Sequence, residues 1–198
     1  MIARHLLERL HRAVQRGEVY LAPTDSLPSH ERAAAAEVAR ALREEGPEAA
    51  RETIASLHAA GSLGDVARVS ALHVVAASPA VRDYAEACRM ADLQEYLALQ
   101  EGGSQLLPRL ASADRHRGVV AFLMGHHTVA LDWFSRAFER ERTAENLGNV
   151  LATLLATGER AEAHDLLATV RSAFPAGFAS DLERRIAADD DLRELRGA

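Results

Sequence analysis

The sequence contains no lysine, and all 23 of its basic residues are arginine. This absence excludes nucleotide-binding sites that depend on a P-loop or kinase-type lysine. It also excludes Schiff-base chemistry with pyridoxal phosphate or with a carbonyl substrate. A bias of arginine over lysine is ordinarily a matter of genomic base composition, because either residue keeps a surface soluble. The exclusion of these chemistries holds whatever the origin of the bias.

Residues that favour β-strands are also scarce. Aromatic residues make up 5% of the chain, and isoleucine occurs only at Ile2, Ile54 and Ile186, whereas alanine and leucine are the commonest residues. Alanine and leucine lose little free energy on entering a helix, while strands favour β-branched and aromatic side chains. The composition therefore predicts an all-α protein.

The single cysteine, Cys88, excludes an intramolecular disulfide. It stands in a helical pattern with Tyr84 and Met90, where a buried structural thiol is ordinary, so we expect it in the core. A role as nucleophile would need a histidine brought close by the fold, and the nearest in sequence are His73 and His116. We predict no catalytic residue and expect a protein that is not an enzyme.

The charge balance and the lack of long apolar runs exclude further classes. The net charge is −6, whereas general nucleic-acid binding needs a positive face, so no nucleic-acid partner is expected. No apolar run approaches the roughly 20 residues needed to span a bilayer, and the N-terminus lacks the pattern of a secretory signal. A cytoplasmic location is therefore expected.

Nine histidines raise the question of a metal site. No His-x-x-x-His pair stands on one predicted helix, and the adjacent His126 and His127 would point about 100° apart on a helix, which makes them poor co-ligands. The acidic run Asp189–Asp191 lacks the glycine and the ligand spacing of a calcium loop, and we interpret it as a solvated helix end. We therefore predict neither a metal ion nor a cofactor.

The N-terminal segment Met1–Arg16 has the pattern of an amphipathic helix that Gly17 ends. Such a helix ordinarily packs on the adjoining domain, although its arginines also suit an anionic membrane surface. Residues 18–30 are predicted to form a loop, so that residues 1–30 make up an N-terminal helix and loop. The apolar stripe of the helix consists of Ile2, Leu6, Leu10 and Val14.

From residue 31 to residue 190, helical segments follow one another with short breaks at glycine and proline. This pattern predicts one helical-repeat domain over 31–190, followed by a charged tail, 191–198, and we expect the chain to fray from Asp189 onward. Ser29 is the predicted N-cap of the first of these helices. The predicted helices are Glu31–Arg43, Glu48–Ala60, Asp65–Ala77, Val81–Arg89, Leu93–Gln100, Ala113–Met124, Thr128–Arg140, Ala144–Ala156, Glu159–Ala173 and Ala179–Ala188.

The second half of the chain contains an internal repeat. Gly125 and Gly158 stand 33 residues apart, and Pro175 closes the second unit. Residues at matching positions agree in type: Ala130 with Ala163, Phe134 with Leu167, and Ala137 with Val170. The chain from 111 to 175 thus resembles the tetratricopeptide family, whose period is about 34 residues, in units 111–143 and 144–176. It departs from that family in having Asp114 and Leu147 where a large aromatic residue usually stands.

The resemblance implies a right-handed α-solenoid of helical hairpins with a C-terminal capping helix. In this family the first helices of successive hairpins line a groove that binds a peptide or a partner helix. Members that clamp a carboxylate need lysine and asparagine there, where this chain has Gly148 and Ala152, so an amphipathic helix or an apolar segment is the expected partner. Phe122 and Leu123 have packing in the core as an alternative. The groove residues implied by the resemblance are Arg115, Val119, Phe122, Leu123, Glu145, Gly148, Ala152 and Leu155.

The expected function is that of a protein–protein interaction adaptor or scaffold. One alternative is a regulatory subunit whose segment Met1–Gly17 contacts a membrane or nucleic acid. A second is a self-assembling structural protein, because an uncapped solenoid end exposes apolar surface that can dock on another copy. A third, a ligand-binding or enzymatic helical protein, would have a closed pocket lined by histidines and carboxylates.

Overall fold

The computed structural model of the protein describes residues 29–197. These residues form α-helices joined by short turns and one terminal 3-10 helix, and no β-strand occurs among them. The all-α prediction is therefore confirmed over this part of the chain. No helix in 29–197 combines the length and apolar character needed to cross a membrane. The predicted helix Met1–Arg16 and nearly all of the loop 18–30 lie outside the described residues.

The helices fall into two compact units, and the boundary follows Val120. Within the first unit, helices that are consecutive in sequence pack on one another from α1 to α4, and their contacts bury small and branched apolar side chains such as Ala50, Ile54 and Val75. The last helix, α5, continues across the boundary. The bounds are α1 (Ser29–Glu44), α2 (Pro47–Ala59), α3 (Asp65–Ala77), α4 (Tyr84–Glu101) and α5 (Leu106–Leu123).

The second unit, residues 121–197 of the described chain, is organised around its central helix, α7. This helix packs against α6, α8, α9 and the 3-10 helix, so most of its side chains are buried. The ring of Phe174 lies 6.4 Å from that of Phe138 and 4.7 Å from that of Phe178, measured between centroids. The bounds are α6 (His127–Arg140), α7 (Ala144–Ala156), α8 (Arg160–Ala173), α9 (Ala176–Ala188) and the 3-10 helix (Asp190–Leu195).

Helix α4 is one continuous helix, whereas the sequence predicted two, Val81–Arg89 and Leu93–Gln100. That prediction was wrong because neither glycine nor proline stands between these segments to end the first helix. The helix begins at Tyr84 after Asp83, whose carboxylate accepts a hydrogen bond from the Glu86 amide at 2.9 Å. It ends at Gly102, which has a φ of 61°.

Helix α5 begins before Pro108, although the sequence predicted that this proline interrupts the helix. The proline stands in the first turn of Leu106–Leu123. Amides of the first turn have no intrahelical acceptor, so a residue without an N–H costs little there. The predicted start at Ala113 was therefore too late by two turns.

The C-terminal residues are ordered by packing, although the sequence predicted fraying from Asp189. Leu192 and Leu195 of the 3-10 helix are both fully buried, at 0% exposure. The Asp189 carboxylate accepts a hydrogen bond from the Asp191 amide at 3.0 Å, so part of the acidic run caps the 3-10 helix. Two buried leucines and a cap together hold this segment on the second unit.

Candidate functional site

The eight residues of the predicted groove lie on two helices, α5 and α7. Arg115 and Val119 belong to the first unit, while the remaining six belong to the second. On α5, Phe122 is half-buried and Leu123 is exposed; on α7, Glu145 is exposed. The groove face of α7 otherwise consists of half-buried or buried residues, namely Gly148, Ala152 and Leu155.

Gly148 packs beneath an arginine of α9. A Cβ atom at this position would lie 2.7 Å from Nε of Arg185 and 3.1 Å from its Cδ, so only glycine leaves room for the side chain above it. Arg185 Nη2 donates to Asn149 Oδ1 at 3.0 Å and lies 3.2 Å from Asp189 Oδ2. The position of Gly148 is therefore covered by the chain itself, and the accessible residues of the α7 face are Glu145, Ala152 and Leu155.

Three large apolar side chains are exposed around the turn between α5 and α6. Leu123 and Met124 are each 49% exposed, and Val129 is 51% exposed; we call these three residues the turn surface. Gly125 ends α5 with a φ of 79° and donates to Phe122 O at 2.9 Å. Exposed apolar residues that gather in one place are typical of sites where another molecule binds.

The sequence reasoning missed two members of the turn surface, Met124 and Val129. The signal for Val129 was present, because its neighbour Ala130 is a small residue that recurs at a matching position of the repeat, and adjacent helical residues point about 100° apart. Ala130 is indeed fully buried, and its neighbour Val129 faces outward. No sequence pattern indicated that Met124 would be exposed, since the predicted helix Ala113–Met124 included it as its last residue, whereas it lies in the turn.

A second candidate site lies in the first unit, where the fold brings together two histidines that are far apart in sequence. His73 of α3 and His116 of α5 are buried, and their rings stack with centroids 3.9 Å apart and planes inclined by 12°. His73 Nδ1 donates to the Ala87 carbonyl at 2.9 Å, and His116 Nδ1 donates to Gln94 Oε1 at 2.8 Å. We call His73 and His116 the histidine stack.

The geometry of the histidine stack does not suit a metal ion. A ring nitrogen binds a metal in the plane of its imidazole, at about 2 Å. Two nearly parallel rings 3.9 Å apart cannot both hold one ion in their planes. No group of three or more histidine, cysteine, aspartate or glutamate side chains within 29–197 is arranged to hold a metal ion.

An ion-pair cluster centred on Arg117 lies beside the histidine stack on α5. Arg117 Nη2 lies 2.7 Å from Asp92 Oδ1 and 2.5 Å from Glu95 Oε2, and Nη1 lies 3.5 Å from Oδ1 of the buried Asp114. Burial alone would lower the pKa of Arg117, but the hydrogen bonds to Asp92 and Glu95 outweigh it and raise that pKa. The cluster joins α4 to α5 and keeps the guanidinium charged.

Cys88 is exposed on α4, so the prediction that it lies in the core was wrong. Partial burial is the main cause that raises the pKa of the thiol, and the negative charge of Asp92 is the second. The positive charge of Arg117 lowers this pKa. An activated cysteine nucleophile needs a lowered pKa and an adjacent base. The histidines named as its nearest candidates, His73 and His116, are instead buried and stacked on each other.

No protein-family model, curated protein or solved structure matches this chain. Its function is therefore inferred from the described residues alone. Exposed large apolar side chains occur at the turn surface of the second unit and at several positions of the first unit, which also contains the buried histidine stack. The exposed apolar residues of the first unit are Val74, Leu93, Tyr96, Leu99 and Leu107.

Proposed function

We propose that the protein is an adaptor or scaffold that binds another protein through the turn surface and the accessible face of α7. The observation that carries this proposal is the exposure of Leu123, Met124 and Val129 around one turn. Burying such side chains against a partner gains roughly 25 cal/mol per Å² of apolar area. Leaving them in water gains nothing for the fold, whereas a partner protein that covers all three would gain this free energy on binding.

The structure of the second unit also supports the resemblance to tetratricopeptide repeats. Gly125 and Gly158, the matching turn glycines, have φ values of 79° and 81°. The matching pairs are also alike in burial, since all six residues are 3% exposed or less. Similar backbone and similar burial at a 33-residue spacing are what repeated helical hairpins require. The six residues are Ala130 and Ala163, Phe134 and Leu167, and Ala137 and Val170.

The chemistry of this surface favours an amphipathic helix or an apolar segment as the partner. Ala152 and Leu155 of α7 are apolar and half-buried, so part of each side chain is accessible, as the turn surface of the same unit is. Glu145 is the exposed charged residue of the predicted groove face on this helix. Accessible apolar residues together with an exposed charge suit a helix that buries one face and keeps the other in water.

Affinity capture from native lysate with matched variants tests the proposal. Leu123→Arg places a charge on the turn surface, and Leu99→Arg does the same on α4 of the first unit, where Leu99 is 55% exposed. We expect wild type and Leu99→Arg to retain the same specific proteins, and Leu123→Arg to lose them by about tenfold or more. Circular dichroism should show the same helix content for all three.

Equal capture by all three proteins would contradict the proposal, as would capture of nothing beyond the beads alone. Retention of only a second copy of this chain, again lost with Leu123→Arg, would identify self-association as the role of the turn surface.

A further inference from the structure

The histidine stack connects three helices of the first unit. His73 of α3 bonds to the Ala87 carbonyl of α4, His116 of α5 bonds to the Gln94 side chain of α4, and the two rings stack on each other. Each pair among α3, α4 and α5 is thus joined by one of these contacts. His73 is 2% exposed and His116 is 5% exposed, so both rings are removed from water.

We propose that the histidine stack is an acid-sensitive switch, in which protonation of either ring breaks the stacking and opens the packing of α3, α4 and α5. The inference does not depend on the proposed binding function, because it concerns buried groups of the other unit.

The hydrogen bonds determine where the added proton goes. A carbonyl oxygen only accepts, so each Nδ1 must carry the hydrogen in the neutral ring. An added proton therefore goes to Nε2 and makes the ring a cation. A buried imidazolium loses its hydration, which is unfavourable, and two cations stacked at 3.9 Å would in addition repel each other.

The charges that face the stack from neighbouring helices add to this effect. Arg115 and Arg117 lie on α5 on either side of His116, and both disfavour a positive charge on that ring. Three carboxylates pair with Arg117, so its positive charge partly neutralises theirs: Asp92 and Glu95 on α4 and Asp114 on α5.

Helix α3 provides no compensating carboxylate close to the stack. Its other ionisable residues, Asp65 and Arg68, lie in its first turns with Arg68 Nη2 at 4.0 Å from Asp65 Oδ1. His73 stands more than a turn further along the same helix.

The direction of the pH dependence follows from these surroundings. Burial lowers the pKa of both rings from the ordinary value of 6.5, and the pKa of His116 is lowered further by His73 and Arg115. When the pKa of a histidine is lower in the folded state than in the unfolded state, the fold is most stable at pH values above the unfolded-state pKa. The stability then decreases as the pH falls below the unfolded-state pKa. The unfolded chain then binds protons more readily than the folded unit, so the opening constant rises as the pH falls, by at most about tenfold per pH unit for each ring.

Hydrogen exchange of the full chain, corrected for intrinsic rates, measures this opening. Between about pH 7.5 and about pH 5.5 we expect protection of α3, α4 and α5 to fall by more than about tenfold in the wild type, because both rings contribute, with about 100-fold as the upper limit. The double substitution His116→Phe with Gln94→Met keeps a ring on His73 and removes one titrating group, so the fall should be smaller than in the wild type and at most about tenfold. His30→Gln, which changes an exposed histidine of the same unit, should behave like the wild type. Segments of α7 serve as the internal reference.

Equal loss of protection in wild type and double variant would overturn the proposal. If the double variant does not fold, ¹⁵N NMR of the imidazole rings in the wild type provides the test. We expect both stacked rings to be neutral with the hydrogen on Nδ1 at neutral pH, and to charge only as the unit opens. Reversible protonation of both rings near a pKa of 6.5, with α3, α4 and α5 still protected, would equally overturn it.

Discussion

At the scale of single residues, Gly148 shows how a neighbouring side chain selects glycine inside a helix. Alanine is ordinarily favoured over glycine in a helix interior by about 1 kcal/mol. Here the room that a Cβ atom would occupy is taken by the Arg185 side chain, with Nε at 2.7 Å. The packing of α9 on α7 thus outweighs helix propensity.

A double-mutant cycle tests this explanation. Gly148→Ala should stabilise the protein by about 1 kcal/mol in an Arg185→Ala background, where only helix propensity acts. With Arg185 present the same substitution should bring no gain, because the guanidinium must leave Asn149, giving a coupling of about 1 kcal/mol or more. Urea unfolding of the four proteins measures it. A coupling of zero would mean that the two side chains do not compete for this space.

The reactivity of Cys88 provides a second test at this scale. Partial burial and, as the second cause, the negative charge of Asp92 raise the pKa of the Cys88 thiol. Asp92→Asn should therefore lower that pKa and accelerate alkylation by iodoacetamide, since the thiolate is the reacting form. Rates compared at about pH 8, below the raised pKa, report the change in the thiolate fraction of the native protein. Asp83→Asn, on the same helix at its N-cap, serves as control, and an equal acceleration there would contradict the assignment to Asp92.

At the scale of helices, the sequence predicted those elements whose ends carry local signals. The bounds of α3 and α7, Asp65–Ala77 and Ala144–Ala156, agree with the prediction. The 3-10 helix was missed because it depends on burying Leu192 and Leu195 against the second unit, a tertiary effect that no local pattern shows. The histidine stack was missed for the same reason, since its two members are 43 residues apart and meet only through folding.

Adjacent residues of α6 should respond in opposite ways to the same substitution. Ala130 is 0% exposed and Val129 is 51% exposed. Ala130→Glu should lower the free energy of unfolding by about 3 kcal/mol or more, or prevent folding of the second unit, because it buries an unpaired charge. Val129→Glu should change it by about 0.5 kcal/mol at most and act on binding instead. Chemical unfolding monitored by circular dichroism separates the two, and comparable stabilities would mean that α6 is packed differently.

The ordered C-terminal segment leads to a further prediction. Leu192→Ala removes a fully buried side chain from the 3-10 helix and should cost about 2–5 kcal/mol. Arg193→Ala, at the adjacent exposed position, should cost about 0.5 kcal/mol or less. Thermal or urea unfolding provides the comparison. If both variants are as stable as the wild type, residues 190–195 fray as their charge alone would suggest.

At the scale of the whole molecule, the two candidate functions belong to different units. The exposed turn surface belongs to 121–197, and the buried histidine stack belongs to 29–120. The composition predicted the helical class, and the repeat identified matching positions that agree in residue type. Which apolar residues remain exposed depends on how the chain packs, so only one member of the turn surface, Leu123, was among the predicted groove residues.

Photo-crosslinking is the most direct measurement of the central claim that the turn surface binds a partner protein. A benzophenone amino acid is placed at Leu123, and in a matched protein at Leu99, which is exposed and apolar in the other unit. After irradiation in native lysate, discrete adducts of defined mass should form from position 123 and not from position 99. Equal adducts from both positions, or none from position 123, would contradict the claim.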